Sequence, residues 1–312
     1  MKVLNRGFLY LLVPMIFFSS FEVVSRTIGG AIQPTQLTFI RFLIGGAILL
    51  PFALQDLKKR SIHLSTREVL WLFFLGFLNV GVSMNLSQYA ILKTNASISA
   101  VLFSSNPLYV AVFSSIILKE RLTVKKGIGL LIGLVGVVFA FLHGTASGAD
   151  FYTGVVLMLC AAVIYGMYTV LAKKITIKIG SLSMTSLSFL FGCITMIPWF
   201  FALRITPFSF DFSKVWWQVL YLSILVTGLA QFVFYKALCM VDTSLGSMTF
   251  FVKPLLASIM AACFLHEHIS LNLIIGIVLV IVGITIVKRS VETPAPISAA
   301  QLPTNAESNQ EG

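Results

Sequence analysis

Long apolar runs alternate with short polar stretches along the whole chain of 312 residues. Ten apolar runs can be marked, at residues 8–28, 35–54, 68–91, 95–118, 126–142, 151–172, 181–203, 215–235, 243–265 and 270–287. A helix needs about 20 apolar residues to span a bilayer, whereas barrel strands are about half as long and alternate apolar with polar residues. The pattern therefore predicts an all-α integral membrane protein with ten transmembrane helices.

The sequence repeats itself at a constant offset of 147 residues, so that five runs fall in each copy. The matched pairs include Gly7 with Gly154, Thr38 with Thr185, Gly45 with Gly192, Pro107 with Pro254, and Glu120 with Glu267. Because five is odd, the second copy enters the membrane from the opposite side, as in many secondary transporters. We predict two inverted five-helix repeats, at 1–142 and 151–290, followed by a disordered cytoplasmic tail at 291–312.

Composition and charge support a membrane setting and fix an orientation. Hydrophobic residues make up 58% of the chain and its net charge is +11. The Lys and Arg residues stand in short clusters between apolar runs and form no nucleic-acid-binding patch, so the expected partner is the lipid bilayer and not a nucleic acid. Sixteen of them fall on one side of the predicted helices and four on the other. This bias predicts a multi-pass protein of the cell membrane with both termini in the cytoplasm.

No motif for cofactor or metal chemistry is present in the sequence. The four cysteines have no CxxC spacing, and His266 and His268 flank Glu267 on a tight predicted loop. A phosphate-binding glycine loop that ends in Lys-Ser or Lys-Thr is also missing. We therefore expect no metal and no cofactor. We also expect that any transport is driven by a gradient or proceeds by facilitated diffusion, and is not driven by ATP hydrolysis.

Residues 90–136 and 237–283 share an ordered set of features: an opening alanine, a mid-helix proline, a glutamate that closes the helix, a short polar turn and a final helix with glycines. This set resembles the EamA-type family of the drug/metabolite transporter superfamily. The resemblance implies a ten-helix carrier that moves small organic molecules by alternating access around a midplane cavity. By analogy it implies export of amino acids or related zwitterionic or anionic solutes. The resemblance names no substrate.

A membrane-embedded enzyme that acts on a lipid-linked substrate is the alternative function. Such an enzyme needs acidic, His or Ser residues clustered at an interface, and the candidates in this chain are scattered. We therefore predict a carrier and no enzyme. The sequence leaves the oligomeric state open, and a monomer is the simplest expectation.

Three ionisable residues, Glu22, Arg41 and Lys253, lie deep inside predicted helices, where charges usually face a protein-lined cavity. Counting about 1.5 Å per residue places Glu22 and Arg41 at one depth. An ion pair between them would leave Lys253 free to bind an anionic or zwitterionic solute. In the alternative, Lys253 pairs with Glu22 and only joins two helices. The repeat mate of Lys253 is Asn106, which we include as an uncharged candidate for binding.

Further candidates are polar side chains that share helix faces and must turn away from lipid. They are Asn85 and Gln88 in the third run, Tyr165 and Tyr168 in the sixth, and Gln231 and Tyr235 in the eighth. Some of these will only bond neighbouring helices. Pro107 and Pro254 fall near the middle of the fourth and ninth predicted helices, where a proline kinks the helix. We predict that both are hinges, and packing alone is the alternative.

Overall fold

The computed structural model describes residues 2–28, 30–94, 96–140, 149–265 and 271–290. Helices occupy each of the ten predicted runs, and the described residues contain no strand. We number them in chain order, counting the pieces of an interrupted helix together. Their bounds are α1 Lys2–Ile28, α2 Pro34–Lys59, α3 Thr66–Lys93, α4 Ala96–Phe103 with Asn106–Ile117, α5 Val124–Ala140, α6 Ala149–Ile179, α7 Ser181–Thr195 with Ile197–Leu203, α8 Trp216–Leu238, α9 Thr243–Ser247 with Thr249–Leu265, and α10 Leu271–Ser290.

The predicted class, an all-α membrane protein, is confirmed. Six of the helices are long and apolar enough to cross a membrane: α2, α3, α4 from Ser99, α6, α7 and α8. Ten crossings and cytoplasmic termini stay predictions. The predicted tail 291–312 lies outside the described residues, as do His266, Glu267 and His268.

Two helices contain π-helical stretches at matching positions, Phe77–Met84 in α3 and Leu222–Ala230 in α8. The apolar pattern predicts ordinary α-helix at both places, because hydropathy does not distinguish the two kinds of turn. A π-helical stretch fits extra residues into a helix and is frequent at functional sites. Both stretches pack against the centre of the molecule, where most of their residues are buried.

The fourth helix is broken where a continuous helix was predicted. A turn at Ser104 and Ser105 separates its two pieces, so Pro107 stands in the first turn of Asn106–Ile117 and not in mid-helix. At that position a proline has no intrahelical hydrogen bond to lose. Pro254, by contrast, lies inside Thr249–Leu265. The hinge role of the two prolines stays a prediction, although the break in α4 is a natural place for bending.

Close contacts between the two halves are reciprocal. A Cβ atom on Gly45 would lie 2.8 Å from the carbonyl oxygen of Ser223, and one on Gly192 would lie 2.8 Å from the carbonyl oxygen of Gly76. Gly192 is the repeat mate of Gly45, and Ser223 is the mate of Gly76. The contact between α2 and α8 is therefore equivalent to the contact between α7 and α3. Such an exchange is what a two-fold axis between the halves requires.

Two aromatic pairs show where this axis runs. The ring of Phe42 packs edge-on against that of its own mate Phe189, with centroids 4.6 Å apart. Phe103 contacts its mate Phe250 with centroids 5.8 Å apart. A residue that touches its own mate must lie near the axis. The axis therefore passes through the interface of α2 with α7 and that of α4 with α9.

Helices α5 and α10 pack against each other through glycines. We expect Gly283→Ala to destabilise the protein by about 1–3 kcal/mol, because overpacking a close contact forces the backbone to move. A Cβ atom at this position would lie 2.6 Å from the carbonyl oxygen of Gly129 and 2.8 Å from the backbone nitrogen of Gly133. The measurement is the thermal unfolding midpoint in detergent.

The matched control is Gly127→Ala in α5, where a Cβ atom would have nothing within 4 Å. That variant should keep or slightly raise the midpoint, since alanine favours a helix over glycine by up to about 1 kcal/mol. Equal midpoints for the two variants would contradict close backbone packing between α5 and α10.

Candidate functional site

A small cavity of about 30 Å³ lies on the two-fold axis, between helices of both halves. Two cations, four polar side chains and a set of apolar residues line it: Phe18, Phe21, Arg41, Met84, Ser87, Phe103, Tyr165, Val226, Thr227, Gln231, Phe250 and Lys253. The lining contains both members of three repeat pairs, namely Phe18 with Tyr165, Met84 with Gln231, and Phe103 with Phe250. The two halves therefore build the site together.

Glu22 and Lys253 form a buried ion pair that joins α1 to α9. The Nζ atom of Lys253 donates a hydrogen bond to Oε1 of Glu22. The predicted pair between Glu22 and Arg41, with Lys253 left unpaired, is wrong, because Lys253 takes Glu22 as its partner. Lys253 also lines the cavity. Depth along the membrane normal cannot say which helices are lateral neighbours, and α1 packs directly against Thr249–Leu265 of α9.

Arg41 is consequently the deep cation without an acid. Its side chain is 3% exposed, and it forms no hydrogen bond or salt bridge with the described residues. The guanidinium carbon lies 4.6 Å from the ring centroid of Phe21 and 4.7 Å from that of Phe42. Such cation–π contacts offset part of the cost of burying a charge, but the Nε and Nη2 atoms of Arg41 have no hydrogen-bond partner among the described residues. The arrangement presents to the cavity a cation that lies within the electrostatic field of Glu22 but has no hydrogen-bonded acid among the described residues.

Tyr165 and Gln231 close one side of the cavity. The Nε2 atom of Gln231 donates to the Tyr165 hydroxyl at 3.1 Å, which links α6 to α8. Both residues were predicted as binding residues, and both line the cavity.

An aromatic cluster fills much of the space around these polar groups. The ring of Phe250 contacts those of Phe18, Phe103, Tyr165 and Phe234, with centroid distances between 5.6 and 5.8 Å. Ser104 Oγ also donates to the carbonyl oxygen of Phe250 at 2.7 Å, which fixes its backbone beside the break in α4. Any solute that binds beside Arg41 must therefore pack against Phe250 or displace its ring.

Two predicted binding residues bond neighbouring helices and lie outside the cavity lining. Asn106 donates through Nδ2 to the carbonyl oxygen of Ala162 at 2.9 Å and so ties α4 to α6. Asn85 accepts a bond of 3.2 Å from the Thr35 hydroxyl, which joins α3 to α2. Buried polar side chains in membrane proteins often have this joining role. We leave both residues out of the proposed binding set.

The other predicted residues lie on either side of the cavity. Gln88 lines a second pocket of about 320 Å³ at the predicted outer ends of α1, α2 and α3, together with Ser25. Neither Gln88 Oε1 nor Ser25 Oγ has a hydrogen-bond partner among the described residues. Tyr168 and Tyr235 lie behind Tyr165, fully buried and outside the lining.

Charged residues tie the helices together at the predicted cytoplasmic end. Lys173 donates to Glu120 at 3.1 Å and to the hydroxyl of Thr243 at 2.8 Å, and Lys126 pairs with Asp242 at 2.7 Å. Burial alone would raise the pKa of Glu120, but the charge of Lys173 and the bonds from Thr243 outweigh it and hold that pKa below its ordinary value. Glu120 is thus ionised at neutral pH and links α4 to α6 and α9.

The sequence analysis missed the aromatic part of the lining, above all Phe21, Phe103 and Phe250. One signal for it was available. Phe103 and Phe250 are identical residues at matching positions of the two copies, three residues before Asn106 and Lys253. With 27 Phe in the chain, this pair does not stand out unless the repeat is compared position by position.

A helical membrane fold of two interlocking halves, with a charged cavity on the axis between them, defines a membrane transporter. Comparison with known proteins identifies its family. The chain belongs to the EamA-like transporter family, which matches residues 5–142 and again 152–289.

Relatives and solved structures agree with this assignment. An uncharacterized transporter from Clostridium kluyveri is 31% identical over 287 residues, with 90% of this chain and 92% of the relative covered. The S-adenosylmethionine uptake transporter of Rickettsia prowazekii is 22% identical, with 90% and 92% covered. One crystal structure superposes with a TM-score of 0.73 at 19% identity and covers 93% of this chain and 99% of the other, which shows a shared fold.

Proposed function

We propose that this protein is a secondary transporter of small organic solutes with an acid group, such as amino acids and related zwitterionic or anionic metabolites. The observation that carries the proposal is Arg41, a buried cation that faces a cavity on the two-fold axis and has no acidic partner among the described residues. A guanidinium group binds a carboxylate or phosphate through two parallel hydrogen bonds. A solute of this kind supplies the charge that Arg41 lacks.

Lys253 has a supporting role in this proposal. Its bond to Glu22 neutralises that carboxylate, which would otherwise compete with the solute for Arg41. Both cations lie close to the ring of Phe21. The Nζ atom of Lys253 is 5.4 Å from its centroid, and the guanidinium carbon of Arg41 is 4.6 Å from it. The three charges add up to one net positive charge. That value suits a solute with one net negative charge or a zwitterion bound by its carboxylate.

Transport proceeds by alternating access around the axis. The two halves rock against each other, so that the cavity opens first to one side of the membrane and then to the other. In the described arrangement the bonds of Glu120 and Asp242 hold the predicted cytoplasmic ends together, while a second pocket lies at the predicted outer ends. This is the arrangement expected of a carrier closed toward the cytoplasm.

A gradient drives the cycle, and we expect net export with proton exchange. Glu22 supports proton coupling, because its Oε2 atom is buried and without a partner among the described residues. The Rickettsia relative is named for uptake, so import is the other outcome of the same assay.

Reconstituted vesicles test the function. Purified protein in proteoliposomes should exchange a labelled L-amino acid or carboxylic acid against an internal pool, without covalent change to the solute. An imposed pH gradient should drive its accumulation. Chemical conversion of a lipid-linked substrate without solute flux would instead establish an enzyme.

A further inference from the structure

A second group of polar side chains lies behind Tyr165. We call it the neutral cluster, and it consists of Asn79, Tyr168, Ser188 and Tyr235, from α3, α6, α7 and α8. All four residues are fully buried. Four of their polar atoms have no hydrogen-bond partner among the described residues, namely both side-chain atoms of Asn79 and the hydroxyl oxygens of Tyr168 and Tyr235.

The cluster is assembled around one hydroxyl group. The side chains of Asn79, Ser188 and Tyr235 approach the hydroxyl of Tyr168 closely enough to interact with it, but none of them forms a hydrogen bond of full geometry with it. The rings of Tyr168 and Tyr235 stand edge to face, with centroids 5.8 Å apart. Buried donors and acceptors are nearly always paired in native proteins, so each unpaired one calls for an explanation. Four of them in one place indicate a position that receives a polar guest.

The repeat relates this cluster to the charged end of the cavity. The offset of 147 residues maps Arg41 onto Ser188 and Phe21 onto Tyr168. The two positions are therefore counterparts across the axis, one charged and the other neutral. Tyr165 stands between them. It lines the cavity, and its ring centroid is 5.7 Å from that of Tyr168.

We propose that the neutral cluster is a second binding subsite, which holds the uncharged hydrogen-bonding end of the solute while Arg41 holds its acid group. The chemistry that fits is an amide or a hydroxyl group, because Asn79 both donates and accepts and the tyrosines do either. The bond between Tyr165 and Gln231 separates the two subsites, so it exchanges partners when the solute spans the axis. This inference rests on the proposed function and narrows its substrate class.

Matched probe pairs test the subsite. Each pair has the same acid group and a polar or an apolar far end: L-glutamine with L-norleucine, and 4-hydroxybutyrate with pentanoate. The full chain is purified as wild type, Asn79→Leu, Tyr168→Phe and the control Tyr152→Phe, whose residue is 66% exposed. Affinities are taken from the dependence of the unfolding temperature on probe concentration.

We expect the wild type and the control to favour the polar member of at least one pair by about tenfold or more, as one well-placed hydrogen bond to a buried site allows. Asn79→Leu and Tyr168→Phe should each remove that preference and leave affinity for the apolar member unchanged. The unfolding temperature without probe should change little, because Asn79 and the Tyr168 hydroxyl make no hydrogen bond of full geometry among the described residues.

Two results would overturn the subsite. One is equal affinity within both pairs in the wild type. The other is a clear fall of the unfolding temperature without probe in both variants, which would mean that an ordered water satisfies the cluster structurally. If both members of each pair bind equally well and Arg41→Met abolishes their binding, the subsite is contradicted but the proposed function is not. If Arg41→Met changes neither probe binding nor transport, the proposed function is contradicted.

Discussion

Arg41→Met should abolish transport of acidic and zwitterionic solutes while the protein stays as stable as the wild type or becomes more stable. An arginine near the centre of a membrane helix costs about 2.5–3.5 kcal/mol, and Arg41 recovers only part of this through Phe21 and Phe42. Methionine fills similar space without the charge. The lost bond to a solute carboxylate contributes about 1.5–3 kcal/mol, which is about 10- to 100-fold in affinity.

The measurements are solute exchange in proteoliposomes and the thermal unfolding midpoint, both on the same preparation. Arg60→Met is the matched control, because Arg60 is exposed and pairs only with Asp56 one helical turn away, at 3.1 Å. It should change neither quantity. A variant Arg41→Lys should recover little, since an ammonium group cannot make the two parallel bonds of a guanidinium. Full exchange by Arg41→Met, or unfolding of that variant, would show that Arg41 is a structural residue.

The position of Arg41 illustrates what the sequence can predict and what it cannot. Hydropathy located all ten helical runs, because each apolar run must be long enough for the bilayer. Counting residues along each helix also placed Glu22, Arg41 and Lys253 in one region, deep inside the membrane. Their pairing required the lateral order of the helices, which a count of residues along each helix does not contain. The packing of α1 against α9 decided that Glu22 meets Lys253.

Local departures from regular α-helix were the other part of the site that the sequence could not predict. The break at Ser104 and Ser105 moved Pro107 out of mid-helix, and the π-helical stretch Phe77–Met84 turned Asn79 toward the centre. Neither changes the apolar pattern from which helices are predicted. The repeat, however, carried more information than the hydropathy. Positions that touch their own mates, such as Phe103 and Phe250, can be proposed from the offset once the axis is known.

The charge balance of the site leads to a second prediction with a large expected effect. Lys253→Met removes the partner of Glu22 and leaves Arg41 as the nearest cation to that carboxylate. Both cations already lie over the ring of Phe21, so a small side-chain movement brings the guanidinium group to Glu22. Arg41 is then occupied by an internal acid. We expect the fold to persist and the affinity for acidic solutes to fall about 10- to 100-fold, the range of one charge-assisted bond.

Removing both partners of the ion pair should reverse this loss. In Glu22→Gln/Lys253→Met the competing carboxylate is gone and the net charge of the site returns to one positive unit. Solute affinity should recover toward that of the wild type, although Lys253 is still missing. Glu22→Gln alone leaves two buried cations without an acid, and we expect a loss of about 3–5 kcal/mol in stability, with solute exchange retained and proton-driven accumulation lost.

These three variants and the wild type form a double-mutant cycle, which separates two roles for Lys253. The quantities to compare are solute affinity from exchange kinetics and the unfolding midpoint in detergent. If Lys253 binds the solute directly, the double variant will be as defective as Lys253→Met. If Lys253 only keeps Glu22 away from Arg41, the double variant regains binding. The guanidinium group makes the second outcome the expected one, because among the described residues the deep cation without a hydrogen-bonded acid is Arg41 and not Lys253.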